Sequence, residues 1–160
     1  MTSANPNPLL DEFRWPLRIY WEDTDAGGVV FYANYLKFFE RARTEWLRTL
    51  GFSQQAMRLE DQAMFVVTDT QVRHRQPARL DDLVEVTVRV AESGRASLVL
   101  EQQAWRDGTL LAEGRIRIGW VQTVLPEAPG AEPRLKTGRI PQRILARLPE
   151  AMPAAAAHQD

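Results

Sequence analysis

The sequence has no cysteine, and it has only two histidines in 160 residues. The absence of cysteine excludes disulfides, thiolate catalysis and cysteine-based metal sites. No Ser/His/Asp motif, glycine-rich phosphate loop or metal-ligand spacing occurs in the sequence either. Any hydrolytic chemistry in this chain would therefore rest on a carboxylate, and we expect neither a metal nor another cofactor.

Long apolar runs and an excess of charge of one sign are also missing. No run approaches the roughly 20 apolar residues that a membrane-spanning helix needs, and residues 1–10 lack the pattern of a signal peptide. The 20 basic and 21 acidic residues leave a formal net charge of −1. This balance does not predict affinity for nucleic acid or for an anionic membrane surface. We expect a cytoplasmic protein, with peripheral contact with the inner membrane left open.

The length and the distribution of residue types predict a single folded domain. A chain of this size suits one domain, and 44% of its residues are apolar. Residues 1–12, which are mostly polar, are predicted to form a flexible N-terminal arm. The folded domain is predicted to span residues 13–124. Residues 125–160 then provide a linker, a short closing helix at 139–148 and a flexible tail.

The pattern of apolar residues predicts a strand, a long helix and four further strands. Apolar and polar residues alternate in residues 13–22, whereas Tyr35 to Leu50 show a broad stripe at helical spacing. Strand-like runs follow at residues 63–75, 83–90, 96–106 and 109–121. These elements predict an α+β fold in which a five-stranded, largely antiparallel sheet wraps around one long central helix. One long edge strand stays exposed, which favours dimerisation.

The segment DTDAGGVVFYANY, residues 23–35, joins the first strand to the helix. A helix that begins near Tyr32 or Ala33 would direct free N–H groups and its positive dipole end at this turn. Such an end stabilises a carbonyl oxygen that gains negative charge. Asp25 could then attack the carbonyl carbon or deprotonate a water, provided that its carboxylate faces a shielded gap at the helix start. The alternative is that Asp23 and Asp25 only cap the turn or the helix.

Residues 25–36, DAGGVVFYANYL, resemble the signature of the 4-hydroxybenzoyl-CoA thioesterase family of hotdog proteins. The stretches FRWPLRIYWEDTDAGGVV, FERARTEWLR, FSQQA and PARLDDLVEV resemble the acyl-CoA thioesterases associated with the Tol–Pal envelope system of Gram-negative bacteria. The resemblance runs from about Phe13 to Val121 and is weakest after Val124. It implies a hotdog fold, hydrolysis of acyl-coenzyme A without a cofactor, and a homodimer with active sites at its interface that often pairs into a homotetramer.

The resemblance also implies the roles of individual residues. Asp25 matches the catalytic carboxylate, and the backbone N–H of Tyr32 matches the group that polarises the thioester carbonyl. Gly28, Val30 and Phe31 lie in the same motif and are assigned to substrate binding. Many members of the Tol–Pal-associated subgroup carry Tyr-His where this chain has Phe31-Tyr32, and this departure leaves the preferred acyl group open.

Other carboxylates compete with Asp25 for the catalytic role. Asp23 precedes it by two residues, and we interpret Asp23 as a turn former or ion-pair partner. Glu40 lies on the predicted helix, where an ion pair with Lys37 or Arg43, each three residues away, is the simpler interpretation.

Arg73, Arg75 and Arg79 cluster near one predicted strand end. They could hold the phosphates of coenzyme A through forked hydrogen bonds, although a solvated charged rim would have the same composition. His74, between two of these arginines, is interpreted as a surface or interface histidine.

Two other functions remain open at this point. The chain could be a non-catalytic module that binds acyl groups or acyl carrier protein and is linked to envelope or phospholipid metabolism. A dehydratase of the same fold is the third reading, which we rank low because such enzymes depend on an active-site histidine and His74 does not suit that role.

Overall fold

The computed structural model describes residues 12–152 of the chain. Residues 1–11 of the predicted arm and the last eight residues, which include His158, lie outside the described residues. The elements are β1 (Phe13–Arg18), α1 (Asn34–Thr49), α2 (Gln54–Ala56) with a π-helical turn (Met57–Asp61), β2 (Ala63–His74), β3 (Leu83–Ser93), β4 (Ser97–Arg106), β5 (Thr109–Val124), β6 (Arg134–Thr137) and α3 (Gln142–Leu145).

The strands form one antiparallel sheet in the order β1-β3-β4-β5-β2, with the long helix α1 packed on its inner face. This arrangement confirms the predicted α+β class. A sixth strand, β6, pairs with residues Val121–Val124 of β5, beyond the point where β4 ends. All four residues of β6 are exposed. Without a buried face, β6 has no alternating pattern, which explains why the sequence predicts only five strands.

The core lies between α1 and the inner face of the sheet. Alternate residues of a strand point to the same side, and four alternate residues of β3 are buried valines that face the helix. The buried side chains of α1 cover more than one narrow stripe, although Leu36, which the sequence places in that stripe, is 45% exposed. The buried side chains of α1 are Tyr35, Phe38, Phe39, Ala42, Trp46 and Leu47, and the buried side chains of β3 include Val84, Val86, Val88 and Val90.

A buried polar contact fastens α1 to β4. Gln102 is fully buried, donates from Nε2 to the carbonyl oxygen of Phe39 at 3.0 Å, and accepts from Nη1 of Arg43 at 2.9 Å. Burial lowers the pKa of Arg43, and the nearby charge of Glu40 partly offsets that shift. Arg43 therefore does not form the expected ion pair with Glu40. The Glu40 carboxylate instead accepts a hydrogen bond from the Thr44 hydroxyl at 2.9 Å.

The segment after β5 packs against the rest of the fold through few residues. α3 spans four residues rather than the ten of the predicted closing helix, and it begins directly after Pro141. Ile140 and Ile144 are buried, and the N–H of Met152 donates to the carbonyl of Val90. Within residues 12–152, no helix combines the length and the apolar character needed to cross a bilayer.

We predict that Gly114→Ala destabilises the fold, because an added Cβ would lie 2.8 Å from Cε2 of the fully buried Phe39 and 3.0 Å from Cδ1 of Ile116. Overpacking of this kind costs about 1–3 kcal/mol, which urea unfolding would measure. Gly119→Ala on the same strand is the matched control, since its Cβ meets nothing closer than 3.5 Å. Its free energy of unfolding should change by less than about 1 kcal/mol. Equal losses for the two variants would contradict this packing account.

Candidate active site

A tight turn carries Asp25 between β1 and α1. The N–H of Gly28 donates to the carbonyl of Asp25 at 3.0 Å, and the N–H of Asp25 donates to the carbonyl of Val29 at 2.9 Å. Gly28 has φ +78°, a left-handed conformation that favours glycine, and nothing lies within 4 Å of where its Cβ would be. The turn therefore has a fixed backbone and one open face.

The Asp25 carboxylate is oriented by the turn but is exposed in the single chain. The N–H of Gly27 donates to its Oδ1 at 2.8 Å, while Oδ2 has no hydrogen-bond partner among residues 12–152. The sequence predicts a shielded carboxylate, and residues 12–152 of a single copy do not provide that shielding.

Asp23 holds the turn against the start of α1. Its side chain is buried and accepts the N–H of Tyr20 at 2.8 Å. Its carbonyl oxygen accepts two hydrogen bonds, from the N–H of Phe31 and from Nδ2 of Asn34, both at 2.9 Å. These contacts give Asp23 the role of a turn former rather than that of a free base.

The first residues before α1 offer an unused donor. The helix begins at Asn34, and the N–H of Tyr32 has no acceptor among residues 12–152. Tyr32 precedes the N-cap residue Ala33, so its N–H lies just outside the helix, near the positive end of the helix dipole. Phe31 and Tyr32 are 43% and 67% exposed, so the backbone beside them is open to a ligand. The arrangement can donate a hydrogen bond to an oxygen that gains negative charge.

Residues 74–79 run beside the motif, and residues 74–77 form the wall of a groove. The N–H of Val30 donates to the carbonyl of Ala78 at 2.8 Å, and the Tyr35 hydroxyl accepts the Ala78 N–H at 3.2 Å. Burial raises the pKa of Tyr35, although this hydrogen bond works in the opposite direction. The groove has a volume of about 260 Å³ and is lined by Val30, Tyr32, Tyr35 and residues 74–77.

The structure brings two of the three candidate arginines to the motif. Arg75 lines the groove, where it forms an ion pair with Glu113 at 2.8 Å. Arg79 pairs through its backbone with Val29, next to the Asp25 turn, and its N–H donates to Asp82. Arg73 instead lines a separate cavity of about 990 Å³, so it does not join the others.

Asp82 has its own ion pair, with Arg106 at 2.7 Å. Partial burial opposes its ionisation, but the hydrogen bonds from Arg106 and from the Arg79 N–H prevail and lower the pKa of Asp82. Asp82 therefore stays charged and shapes the backbone at Arg79 rather than acting as a base.

His74 lies in the groove, where the sequence does not place it. Its ring meets Tyr32 and Tyr35 nearly edge-on, with centroid distances of 6.2 and 5.3 Å. His74 is exposed, as expected for a surface histidine. Its place in the groove does not test the reason for ranking a dehydratase low, which stays a prediction. No signal in the sequence relates His74 to Tyr32, which lies 42 positions earlier. The segments that carry these two residues meet where residues 29–30 pair with residues 78–79.

Comparison with known proteins assigns this arrangement to a family. The sequence pattern of the thioesterase superfamily matches residues 27–113, which include most of the motif, α1 and the groove wall. The chain belongs to the thioesterase superfamily. The resemblance seen in the sequence is thereby confirmed.

Two curated relatives match most of the chain. The acyl-CoA thioesterase YbgC of Haemophilus influenzae is 46% identical over 114 residues, which are 71% of this chain and 84% of the relative. The acyl-CoA thioester hydrolase YbgC of Escherichia coli is 41% identical over 135 residues, which are 84% of this chain and 93% of the relative.

A solved thioesterase has the same fold. The structure of 4-hydroxybenzoyl CoA thioesterase complexed with 4-hydroxybenzoyl CoA superposes with a TM-score of 0.75, covering 86% of this chain and 99% of that one. Its sequence identity of 16% means that this likeness concerns the fold alone. The predicted hotdog architecture is confirmed.

We predict that the two aspartates of the turn differ in their effect on stability. Asp23→Ala removes a buried acceptor for the Tyr20 N–H and should lower the free energy of unfolding by about 1–3 kcal/mol. Asp25→Ala removes only an exposed hydrogen bond and should cost less than about 1 kcal/mol. Urea unfolding of both variants checks the difference, and a larger loss for Asp25→Ala would show that the roles are reversed.

Proposed function

We propose that this protein hydrolyses the thioester bond of an acyl-coenzyme A, with Asp25 as the catalytic carboxylate. The superfamily and the names of the curated relatives support this reaction. One observation carries the assignment of residues. The Asp25 turn is tied through Asp23 to the start of α1, where the Tyr32 N–H has no acceptor within residues 12–152.

The reaction follows from the chemistry of these two groups. The thioester carbonyl oxygen accepts the Tyr32 N–H, which stabilises the negative charge that forms as the carbonyl carbon is attacked. The Asp25 carboxylate either attacks that carbon or deprotonates the water that does. Labelled water in a single turnover separates the two routes, because direct attack would place label in Asp25.

The remaining motif residues are proposed to bind the substrate. Val30 lines the groove and half-exposed Phe31 flanks it, while the open face of Gly28 lets the substrate approach the backbone. Arg79 and Arg75 are proposed to hold the phosphates of coenzyme A. Arg73 stands apart from this groove, so its assigned role in binding is the weakest of the three.

A second copy of the chain is proposed to cover the exposed turn. Strand β2 is the last strand in the sheet order, and its outer edge has no neighbouring strand among residues 12–152. Edge strands of this length favour pairing with another chain. We propose a homodimer through this edge, and a homotetramer of two such dimers. Partner association would supply the shielding that Asp25 lacks in a single chain.

The cellular setting stays a prediction. A cytoplasmic location, contact with the inner membrane, a link to the Tol–Pal system and docking of acyl carrier protein come from the sequence alone. The alternative of a non-catalytic acyl-binding module is separated from the hydrolase by the first experiment below. The domain limits at residues 13–124 also remain a proposal, and the pairing of β6 with β5 would place residues 134–137 inside the folded unit.

We predict that Asp25→Asn lowers turnover of acyl-CoA on the order of 10²-fold or more, because it removes the charged base or nucleophile. A panel of acyl-CoA substrates of increasing chain length, with free thiol as the measured product, provides the assay. Glu22→Gln is the matched control, since it neutralises an exposed carboxylate three residues away and should keep turnover. A binding module would instead show affinity for acyl-CoA and no turnover in any of the three proteins.

We predict that Val67→Lys weakens the dimer, because Val67 lies on β2 and is 50% exposed in the single chain. A buried lysine pair would carry unpaired charge into the interface. Leu135→Lys on β6, also an exposed apolar residue, is the control and should leave the dimer intact. Sedimentation over a range of protein concentrations measures the change. Dimers of equal strength in both variants would rule out the β2 edge as the interface.

A further inference from the structure

His74 lies beside the proposed active site but has no role in the mechanism proposed above. It is the last residue of β2, and its ring touches both Tyr32 and Tyr35. No hydrogen bond between residues 12–152 involves its imidazole nitrogens. The His74 side chain is exposed and lies against the two tyrosines, and its nitrogens are free for a ligand in the groove.

The character of the groove indicates which part of the substrate enters it. His74, Arg75 and Gln76 make one wall polar, and the guanidinium of Arg75 has five N–H donors, more than its ion pair with Glu113 uses. Arg79 continues this polar side toward the Asp25 turn. The surface that lines the groove is mostly apolar, but its polar residues include Arg75, one of the proposed phosphate ligands. The proposed phosphate contacts therefore place the coenzyme side of the thioester here.

This orientation places the sulfur between the carbonyl at the Tyr32 N–H and the coenzyme in the groove. Among the side chains that line the groove, His74 is the histidine, and its ring contacts that of Tyr32. Histidine is the side chain best suited to give and take a proton near neutral pH. We propose that His74 is a further catalytic residue, which donates a proton to the departing sulfur of the thioester.

Protonation of the departing sulfur by His74 rests on the proposed thioesterase function. The protons and bonds of this step balance as follows. The C–S bond breaks, its electron pair goes to sulfur, and the imidazolium proton converts the thiolate to the thiol of coenzyme A. Water forms the new C–O bond of the acyl product. One of the two protons of the water restores the imidazolium of His74. The other is released to solvent when the acyl product leaves as a carboxylate.

A comparison of leaving groups tests this role against simple packing. The substrates are one acyl-CoA and the thiophenyl ester of the same acyl group, whose aryl thiolate leaves without protonation because its thiol is the stronger acid. The variants are His74→Phe, which keeps a ring against Tyr32 and Tyr35, and His74→Gln, which keeps a hydrogen-bond donor. Asp25→Asn serves as the reference for loss of the attacking group, and thermal unfolding verifies that each variant folds.

The proposal predicts that His74→Phe and His74→Gln lower kcat for the acyl-CoA on the order of 10²-fold, with KM changed less than about threefold. Turnover of the thiophenyl ester should fall less than about threefold, whereas Asp25→Asn should lose both activities. Equal losses of both substrates, or no loss, would overturn the role of His74 and leave the proposed function standing. A wild-type protein that hydrolyses neither substrate would overturn the proposed function and this inference together.

Discussion

The carbonyl oxygen of Asp23 accepts hydrogen bonds from both Phe31 and Asn34, and the site depends on this double contact. It joins the end of the β1 connection to the first turn of α1. The turn with Asp25 therefore cannot move independently of the helix start where the Tyr32 N–H is free. Two groups that are seven residues apart become parts of one rigid unit, and preorganised donors of this kind stabilise developing charge most effectively.

The rest of the fold keeps that unit in place. Phe39 fills the space that Gly114 leaves on β5, and Gln102 binds the backbone of α1 from β4, so the helix has a fixed position on the sheet. Residues 78–79 pair with residues 29–30 and bring the end of β2 to the helix start. The packing of α1 on β4 and β5 thus determines where the helix start and the Asp25 turn lie. The described part of a single chain leaves the Asp25 side chain exposed.

Local patterns were sufficient to predict α1, β1 and the four long strands, because each buries a periodic set of apolar side chains. The motif from Asp25 to Leu36 was sufficient to predict the family. β6 and the place of His74 could not be predicted, since backbone pairing without burial and contacts between distant segments leave no periodic signal. The partner of Arg43 was missed for a related reason. Spacing along a helix indicates an ion pair with Glu40, whereas the buried Gln102 on a distant strand takes that place.

The most direct test of the central claim is the amide resonance of Tyr32 in two-dimensional ¹⁵N–¹H NMR, followed while a ketone analogue of acyl-CoA is added. The analogue has a methylene group in place of sulfur, so it keeps the carbonyl oxygen but cannot be hydrolysed. If the Tyr32 N–H binds that oxygen, its proton resonance should move downfield as the site fills, in wild type and in Asp25→Asn alike. A Tyr32 resonance that stays unchanged while other residues of the groove report binding would contradict the account.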